Sequence, residues 1–231
     1  MSPIDTKPLA ARQKRLAASV SLENDLPPWK EIRTVAGCDI SCRKHGKIGY
    51  GAIVLLAYPK MEVIETQIHV GSLDFPYIPG FLSFRELPIL LECWKQLETK
   101  PDVVICDAQG IAHPRRMGLA AHFGVETGAV TVGCAKSRLV GEFREPGYRR
   151  GCRTSLRIDG DKVGEVVRTR DGVKPLFVSP GHRIDFEHAS QLVLRLARGF
   201  RQSEPIRAAH RLVNELRERY DLSSERKKTW I

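Results

Sequence analysis

Apolar and polar residues alternate with a period of two over three early stretches, about 33–42, 47–57 and 62–70. Short turns join them, so they read as an antiparallel three-strand meander. Val35, Gly37, Asp39 and Ser41 share one face of the first strand, and Val54-Leu55-Leu56-Ala57 is apolar on both faces of a central second strand. The pattern then changes to helical and buried-strand segments. A helix is predicted over about 88–98, a strand over 102–107, a helix over about 114–123 and a strand over 129–135. The order is βββαβαβ, an α/β fold with three antiparallel and two parallel strands in a mixed five-stranded sheet flanked by helices.

Beyond it, Arg144 to Arg157 is a basic, glycine-interrupted hairpin region, 158–163 a hairpin turn, and Leu176-Phe177-Val178 a further short strand. These are expected as added hairpin strands. Two closing helices follow. Asp185 is placed to cap the first, with Phe186, Ala189, Val193, Leu196 and Phe200 as its inner stripe. Ser203 is placed to cap the second, lined by Ile206, Ala209, Val213 and Leu216. Lys7 to Asp25 reads as an amphipathic packing helix ended by Pro27-Pro28. The expected organisation is one domain over 1–220 and a charged tail over 221–231.

The formal net charge of +10 over 231 residues changes the picture from fold to partner. It favours polyanions, nucleic acid first. No apolar run is long enough for a membrane span, and Met1 to Ala18 lacks the apolar core of a secretory signal. The six cysteines are scattered without a CxxC pair, which suits reduced thiols of a cytoplasmic protein.

Several polar residues stand where chemistry could gather. Asp39 lies in an otherwise apolar strand, and an unpaired buried charge there needs a cation, a metal or a strong hydrogen-bond partner. Asp107 ends the apolar run Val103-Val104-Ile105-Cys106, where α/β sheets collect their chemistry, although read alone it suits a helix cap better. Glu86 stands at the entrance of the 88–98 helix, where a glutamate also complements the helix dipole. Tyr77 is framed by Pro76, Pro79 and Gly80, either packed inward or held as a wedge that stacks on a base. His210 borders the buried face of the last helix, a place where most histidines serve packing. Taken together, Asp39, Glu86 and Asp107 would repel one another unless oxygen-seeking cations such as Mg²⁺ or Mn²⁺ bind between them. A basic molecule around an acidic centre fits nucleic-acid hydrolysis.

The residues also carry a resemblance. Val35 to Ser41, Pro76-Tyr77-Ile78-Pro79-Gly80-Phe81-Leu82-Ser83-Phe84-Arg85-Glu86, Asp107 through His122, Gly133 to Leu139, and Pro205 to His210 resemble the endonuclease V family over nearly the whole chain. The resemblance implies a ribonuclease H-like fold. It implies Mg²⁺-dependent repair cleavage, with Mn²⁺ able to substitute, at the second phosphodiester bond 3′ to deoxyinosine, leaving 3′-hydroxyl and 5′-phosphate. An inosine-specific endoribonuclease acting on RNA is the alternative. Position by position, Asp39, Glu86 and Asp107 match metal ligands, and His210 and Lys136 match further catalytic groups. Tyr77 matches the wedge that fills the space of the extruded base. Pro79, Gly80, Leu82, Gly110 and His113 match positions at or near the inosine pocket. A monomer acting on DNA, without a membrane partner, is implied. The chain departs from the family pattern at Ala108, where glycine is common, at Cys42, where an aromatic is common, and in the polar connection 124–128.

Overall fold

The computed structural model describes residues 4–43 and 46–228, with side chains through 220. The elements, in chain order, are α1 (Lys7–Ala17), β1 (Thr34–Cys42), β2 (Ile48–Ala57), β3 (Glu62–Ser72), α2 (Leu82–Gln96), β4 (Val103–Cys106), α3 (Leu119–Thr127), β5 (Thr131–Ala135), β6 (Arg153–Ile158), β7 (Asp161–Val167), β8 (Leu176–His182), α4 (Phe186–Ala197) and α5 (Glu204–Lys228). The meander forms as the alternation predicts: β1 pairs antiparallel with β2, and β2 with β3. Lys44 and His45 of the first turn lie outside the described residues. The apolar runs of β4 and β5 form the parallel pair, with β4 also parallel to β1.

The sheet does not stop at five strands. Its order is β3-β2-β1-β4-β5-β8-β7-β6, a single eight-stranded sheet. All five residues of β5 are buried, so its second edge could not be left with unpaired backbone groups. Strand β8 pairs antiparallel along Thr131 to Ala135 and carries β7 and β6 with it. The expected added hairpin is therefore part of the main sheet.

Helix ends depart from the sequence expectation in four places. The first helix stops at Ala17 rather than Asp25, because Ser19 and Val20 donate to carbonyls three residues back and close a tight last turn. Helix α2 begins at Leu82 and contains Pro88, so Glu86 lies inside the helix rather than at its entrance. Burial of Leu87, Ile89, Leu90 and Cys93 outweighs the hydrogen bond that proline cannot make. Helix α3 begins at Leu119 rather than 114, because Arg116 adopts φ +57° and the chain stays extended at Gly118. Phe200 falls beyond α4 and is exposed, since Arg198 at φ +44° turns the chain away.

Asp185 caps α4 as expected, accepting from the His188 N–H at 2.8 Å. Ser203 precedes α5, but its hydroxyl is buried without a hydrogen bond. Helix α5 continues to Lys228, through most of the expected tail, and 229–231 lie outside the described residues.

Helices α4 and α5 cover one face of the sheet, over Val35, Val54, Val103, Ile105 and Val132. Helices α2 and α3 cover the other, over Ala36, Ile53, Val104 and Cys106. The period of two along each strand then decides which polar residues meet. Asp39 follows Val35 and Gly37, Asp107 follows Val103 and Ile105, and Lys136 follows Val132 and Cys134. All three continue the α5 side: Asp107 and Lys136 directly follow β4 and β5, and Asp39 lies within β1, just past its last pairing with β4. The six cysteines are free thiols. Among the described residues, no helix is long and apolar enough to cross a membrane.

Candidate active site

Gly37 lets the site close. A Cβ there would lie 2.1 Å from the Pro205 carbonyl oxygen, so only glycine allows the start of α5 to rest on β1. Docked in this way, α5 delivers His210 to the strand ends. Ligand atoms of Asp39, Asp107 and His210 all lie within 4.8 Å of one another. His210 Nδ1 is 2.7 Å from Asp39 Oδ2, and Lys136 Nζ donates to Asp107 Oδ2 at 2.6 Å. The Ile40 N–H donates to the other Asp39 oxygen at 2.8 Å.

A second row of polar groups fixes the imidazole. Arg217 donates to Ser41 Oγ at 2.9 Å, and Ser41 Oγ donates to Asn214 Oδ1 at 2.9 Å. The Asn214 amide therefore turns its Nδ2 toward His210 Nε2, 3.1 Å away. With Nε2 accepting, the proton of the neutral ring is on Nδ1, facing Asp39.

Glu86 comes from α2, in the layer on the opposite face, and lies outside the tight Asp39, Asp107 and His210 group. No hydrogen bond reaches its carboxylate among the described residues. Burial, together with the Asp39 and Asp107 charges, pushes its carboxyl up to about 8. Burial also raises Asp39, which the His210 and Ile40 hydrogen bonds partly offset. Three carboxylates, one of them without a donor, form an oxygen-rich set suited to a hard divalent cation. His210 borders the group on the α5 side, with Nδ1 2.7 Å from Asp39 Oδ2.

Beside this cluster lies a pocket of about 380 Å³. Asp107 and Lys136 form its junction with the acidic group, and Tyr77, Gly80, Leu82 and His113 line it as the sequence suggested. Tyr77 is 68% exposed, a rim position rather than an inward-packed one. Pro79 is exposed and outside the lining. Gly110 is also outside it. A Cβ at Gly110 would lie 2.0 Å from the Pro180 carbonyl oxygen, so this glycine serves the crossing of its loop over β8. The Gly110 N–H donates to Ser179 Oγ at 2.8 Å.

His113 has both ring nitrogens engaged: Nδ1 accepts from the Arg115 N–H at 3.1 Å and Nε2 lies 3.0 Å from the Gly80 carbonyl. Burial and the neighbouring Arg115 charge push its pKa down to about 4. The ring is thus a neutral imidazole with its proton on Nε2.

Sequence reasoning missed Gln109, Ser137 and Arg138, which also line the pocket. Gln109 Nε2 donates to the Ser137 carbonyl at 3.0 Å, while its Oε1 is buried without a partner. Their proximity in sequence to Asp107 and Lys136 was the available signal. A wide basic trough continues from Arg138 and Leu139 past Arg144, Arg153 and Arg157.

A family model described as Endonuclease V matches residues 14–211. The Endonuclease V of Dictyoglomus thermophilum is 45% identical over 198 residues, 86% of this chain and 85% of that protein. The crystal structure of the Streptomyces avermitilis Endonuclease V is similar with a TM-score of 0.89 at 36% identity, covering 95% of this chain and 96% of that one. The Ciona intestinalis Endonuclease V, crystallised with a 23mer DNA containing an inosine followed by a ribo-adenosine, gives a TM-score of 0.81 at 25% identity over 94% and 100% of the two chains.

Proposed function

The chain belongs to the endonuclease V family of nucleases, and on that premise we propose that it is a DNA repair endonuclease directed at deoxyinosine. It would hydrolyse the second phosphodiester bond 3′ to the lesion and leave 3′-hydroxyl and 5′-phosphate ends. The observation that carries this reading is the shared wall. Asp107 and Lys136 belong both to the acidic cluster and to the neighbouring pocket. A base turned out of the duplex into that pocket brings its own backbone to the carboxylates. Tyr77, on the rim, is placed to occupy the gap left in the stack. The basic trough beyond Arg138 suits the flanking phosphates. The β3-β2-β1-β4-β5 portion, with β1, β4 and β5 parallel, supports a ribonuclease H-like core, and residues 1–220 act as one catalytic domain.

Asp39, Glu86 and Asp107, with His210 alongside, would hold Mg²⁺, with Mn²⁺ able to substitute. When bound, such an ion makes water a better nucleophile and shields phosphate charge. The side chains supply the rest. Lys136 holds one Asp107 oxygen and places a positive charge at the pocket mouth, where a phosphate or the attacking water would sit. His210 keeps its Nδ1 proton on Asp39 while Asn214 holds the far nitrogen, so the ring cannot rotate away.

The test is a labelled duplex with one deoxyinosine, incubated with the protein and Mg²⁺, with the cut mapped to the nucleotide and its end groups typed. A strand left intact at enzyme excess would sink the reading. The Ciona relative's ligand, with its ribonucleotide after inosine, makes edited RNA the second substrate to try. Inosine-bearing DNA and RNA competing in one reaction decide between them, since the 2′-hydroxyl is the chemical difference.

A further inference from the structure

Tyr148 is 72% exposed, more than Tyr77 on the pocket rim. It stands in the stretch 144–152, which leads from Arg144 of the basic trough to the start of β6. Surface loops are commonly mobile, but this one is fastened. The buried Arg168 guanidinium donates to the carbonyls of Pro146 at 2.8 Å, Gly147 at 3.0 Å and Val173, and to the Glu145 carboxylate at 2.8 Å. It thereby ties the stretch to the loop 168–175 between β7 and β8. The Gly151 N–H donates to the Arg168 carbonyl at 2.8 Å, and the Gly172 N–H to the Tyr148 carbonyl at 3.1 Å.

The phenol end of Tyr148 rests on Gly172. A Cβ there would lie 2.5 Å from Oη and 2.8 Å from Cζ, and φ is +69°, so both space and backbone call for glycine. The rest of the ring faces solvent. Its hydroxyl makes no hydrogen bond among the described residues. Arg149, Arg170 and Lys174 belong to the same two loops and are exposed. Among the described residues their side chains make no hydrogen bond or ion pair.

These loops adjoin the acidic cluster. Strand β8 pairs Phe177 with Ala135, which puts the 168–175 loop at the sheet end that carries Asp107 and Lys136. Arg201 joins the two. Its Nη2 donates to the Lys136 carbonyl at 2.9 Å and the Pro175 carbonyl at 3.1 Å, and its Nε to the Lys174 carbonyl at 2.8 Å.

A fixed, solvent-facing ring beside cations without partners has the chemistry that binds a nucleobase and its phosphates. In a duplex the bases cover one another's faces, so such a ring takes a base from an unpaired strand. A strand running 3′ from the base pocket passes the acidic cluster, because the proposed cut lies on that side. The loops tied to Lys136 stand next. We infer that Tyr148 is a stacking platform for an unpaired nucleobase 3′ to the cut, with Arg149, Arg170 and Lys174 on neighbouring phosphates. This rests on nucleic acid being the substrate, as proposed above. None of the four belongs to the acidic cluster or lines the base pocket.

The first measurement needs no cutting. Anisotropy titrations compare a plain single-stranded oligonucleotide with the same sequence paired in a duplex, neither containing inosine. The proteins are wild type, Tyr148→Ala, Tyr148→Phe and Arg149→Ala, each with a melting curve. Tyr148→Ala is expected to lower the ratio of single-strand to duplex affinity by about fivefold or more, and Tyr148→Phe to keep it. Arg149→Ala should reduce the single-strand slope of log K against log salt by about 0.7. An unchanged ratio in Tyr148→Ala, or an equal loss in Tyr148→Phe, overturns the inference.

The second measurement places the contact. Single-stranded inosine substrates carry one spacer without a base, moved stepwise along the 3′ side. The protein concentration for half-maximal single-turnover nicking is read for each. One spacer position should raise it for wild type and none for Tyr148→Ala. Wild type indifferent to every such spacer also overturns the inference. Wild type that leaves inosine substrates uncut refutes the proposed function instead, and the anisotropy titrations still decide the role of Tyr148.

Discussion

Asp39 and His210, 171 positions apart in the sequence, meet at 2.7 Å between Oδ2 and Nδ1. Neither residue alone explains the arrangement, since the imidazole is held from behind by Asn214 and the carboxylate from below by the Ile40 N–H. Replacing His210 by alanine is expected to lower the single-turnover nicking rate by about 10²–10⁴-fold, the range for a positioned acid–base group. Asp39→Asn should cost as much or more. The double variant should fall little below the worse single one, because both act through one contact. Fully additive losses would mean that the two residues work independently.

Gly37→Ala is expected to damage stability and activity together. The new methyl would lie 2.1 Å from the Pro205 carbonyl oxygen, a backbone atom that cannot swing aside. Moving α5 off β1 costs about 1–3 kcal/mol or more, as for other overpacked sites. It also withdraws His210 from Asp39. Urea denaturation and the nicking assay read the two effects, and a variant with wild-type midpoint and rate would contradict the packing argument.

Two buried histidines predict a pH dependence of stability. Burial pushes His113 and His122 each down to about 4. In the unfolded chain both titrate near 6.5, so between about 4 and 6.5 the unfolded state binds more protons. Stability contributed by the neutral rings is complete above about 6.5 and is lost as pH falls toward 4, on the order of 3 kcal/mol for each ring. Glu86 works in the opposite direction in metal-free protein, because its raised carboxyl keeps a proton that the unfolded chain releases. The informative comparison is therefore wild type against His113→Gln/His122→Gln, in which Glu86 is common. The urea midpoint of the double variant should drop less between pH 7 and 4.5. Parallel curves would refute the assignment.

The basic trough predicts a salt effect without a base preference. The Arg144 side chain makes no hydrogen bond or ion pair among the described residues, and the Arg157 guanidinium is held by the Gly160 carbonyl at 2.6 Å. Each is expected to contact one phosphate. Alanine at either position should reduce the slope of log K against log salt by about 0.9. Plain and inosine-bearing duplexes should weaken alike, as read by anisotropy titrations at several salt concentrations. A loss confined to the inosine duplex would place the arginine in base recognition instead.

The strands and the acidic residues were legible because their signal is local. Alternation marked the meander, and short apolar runs marked β4 and β5. The same parity that buries Val103 and Ile105 sends Asp107 to the strand end. What escaped depends on contacts distant in sequence. Pro88 suggested a helix beginning, but burial of its neighbours on the sheet extended α2 back to Leu82 and took Glu86 inside it. Gly110 looked like pocket backbone and is instead the point where a loop crosses Pro180. The β6–β7 hairpin joins the main sheet because β5 needs a partner on its second edge, and no periodicity within the hairpin states that need. Gln13 read as one polar position on a packing helix. Its burial follows from acceptors at Gly80 and Met117, 67 and 104 residues away.

The docking of α5 on Gly37 also orders events in time. A chain emerging from the ribosome presents Asp39, Glu86 and Asp107 well before His210 has been made. Contacts of such long sequence separation form late, after the local meander and the parallel pair. An incomplete chain therefore holds the acidic residues without the helix that gathers them. Hydrolytic competence arrives with the C-terminal helix, so a fragment released early would be a basic, nucleic-acid-binding protein unable to cut what it binds.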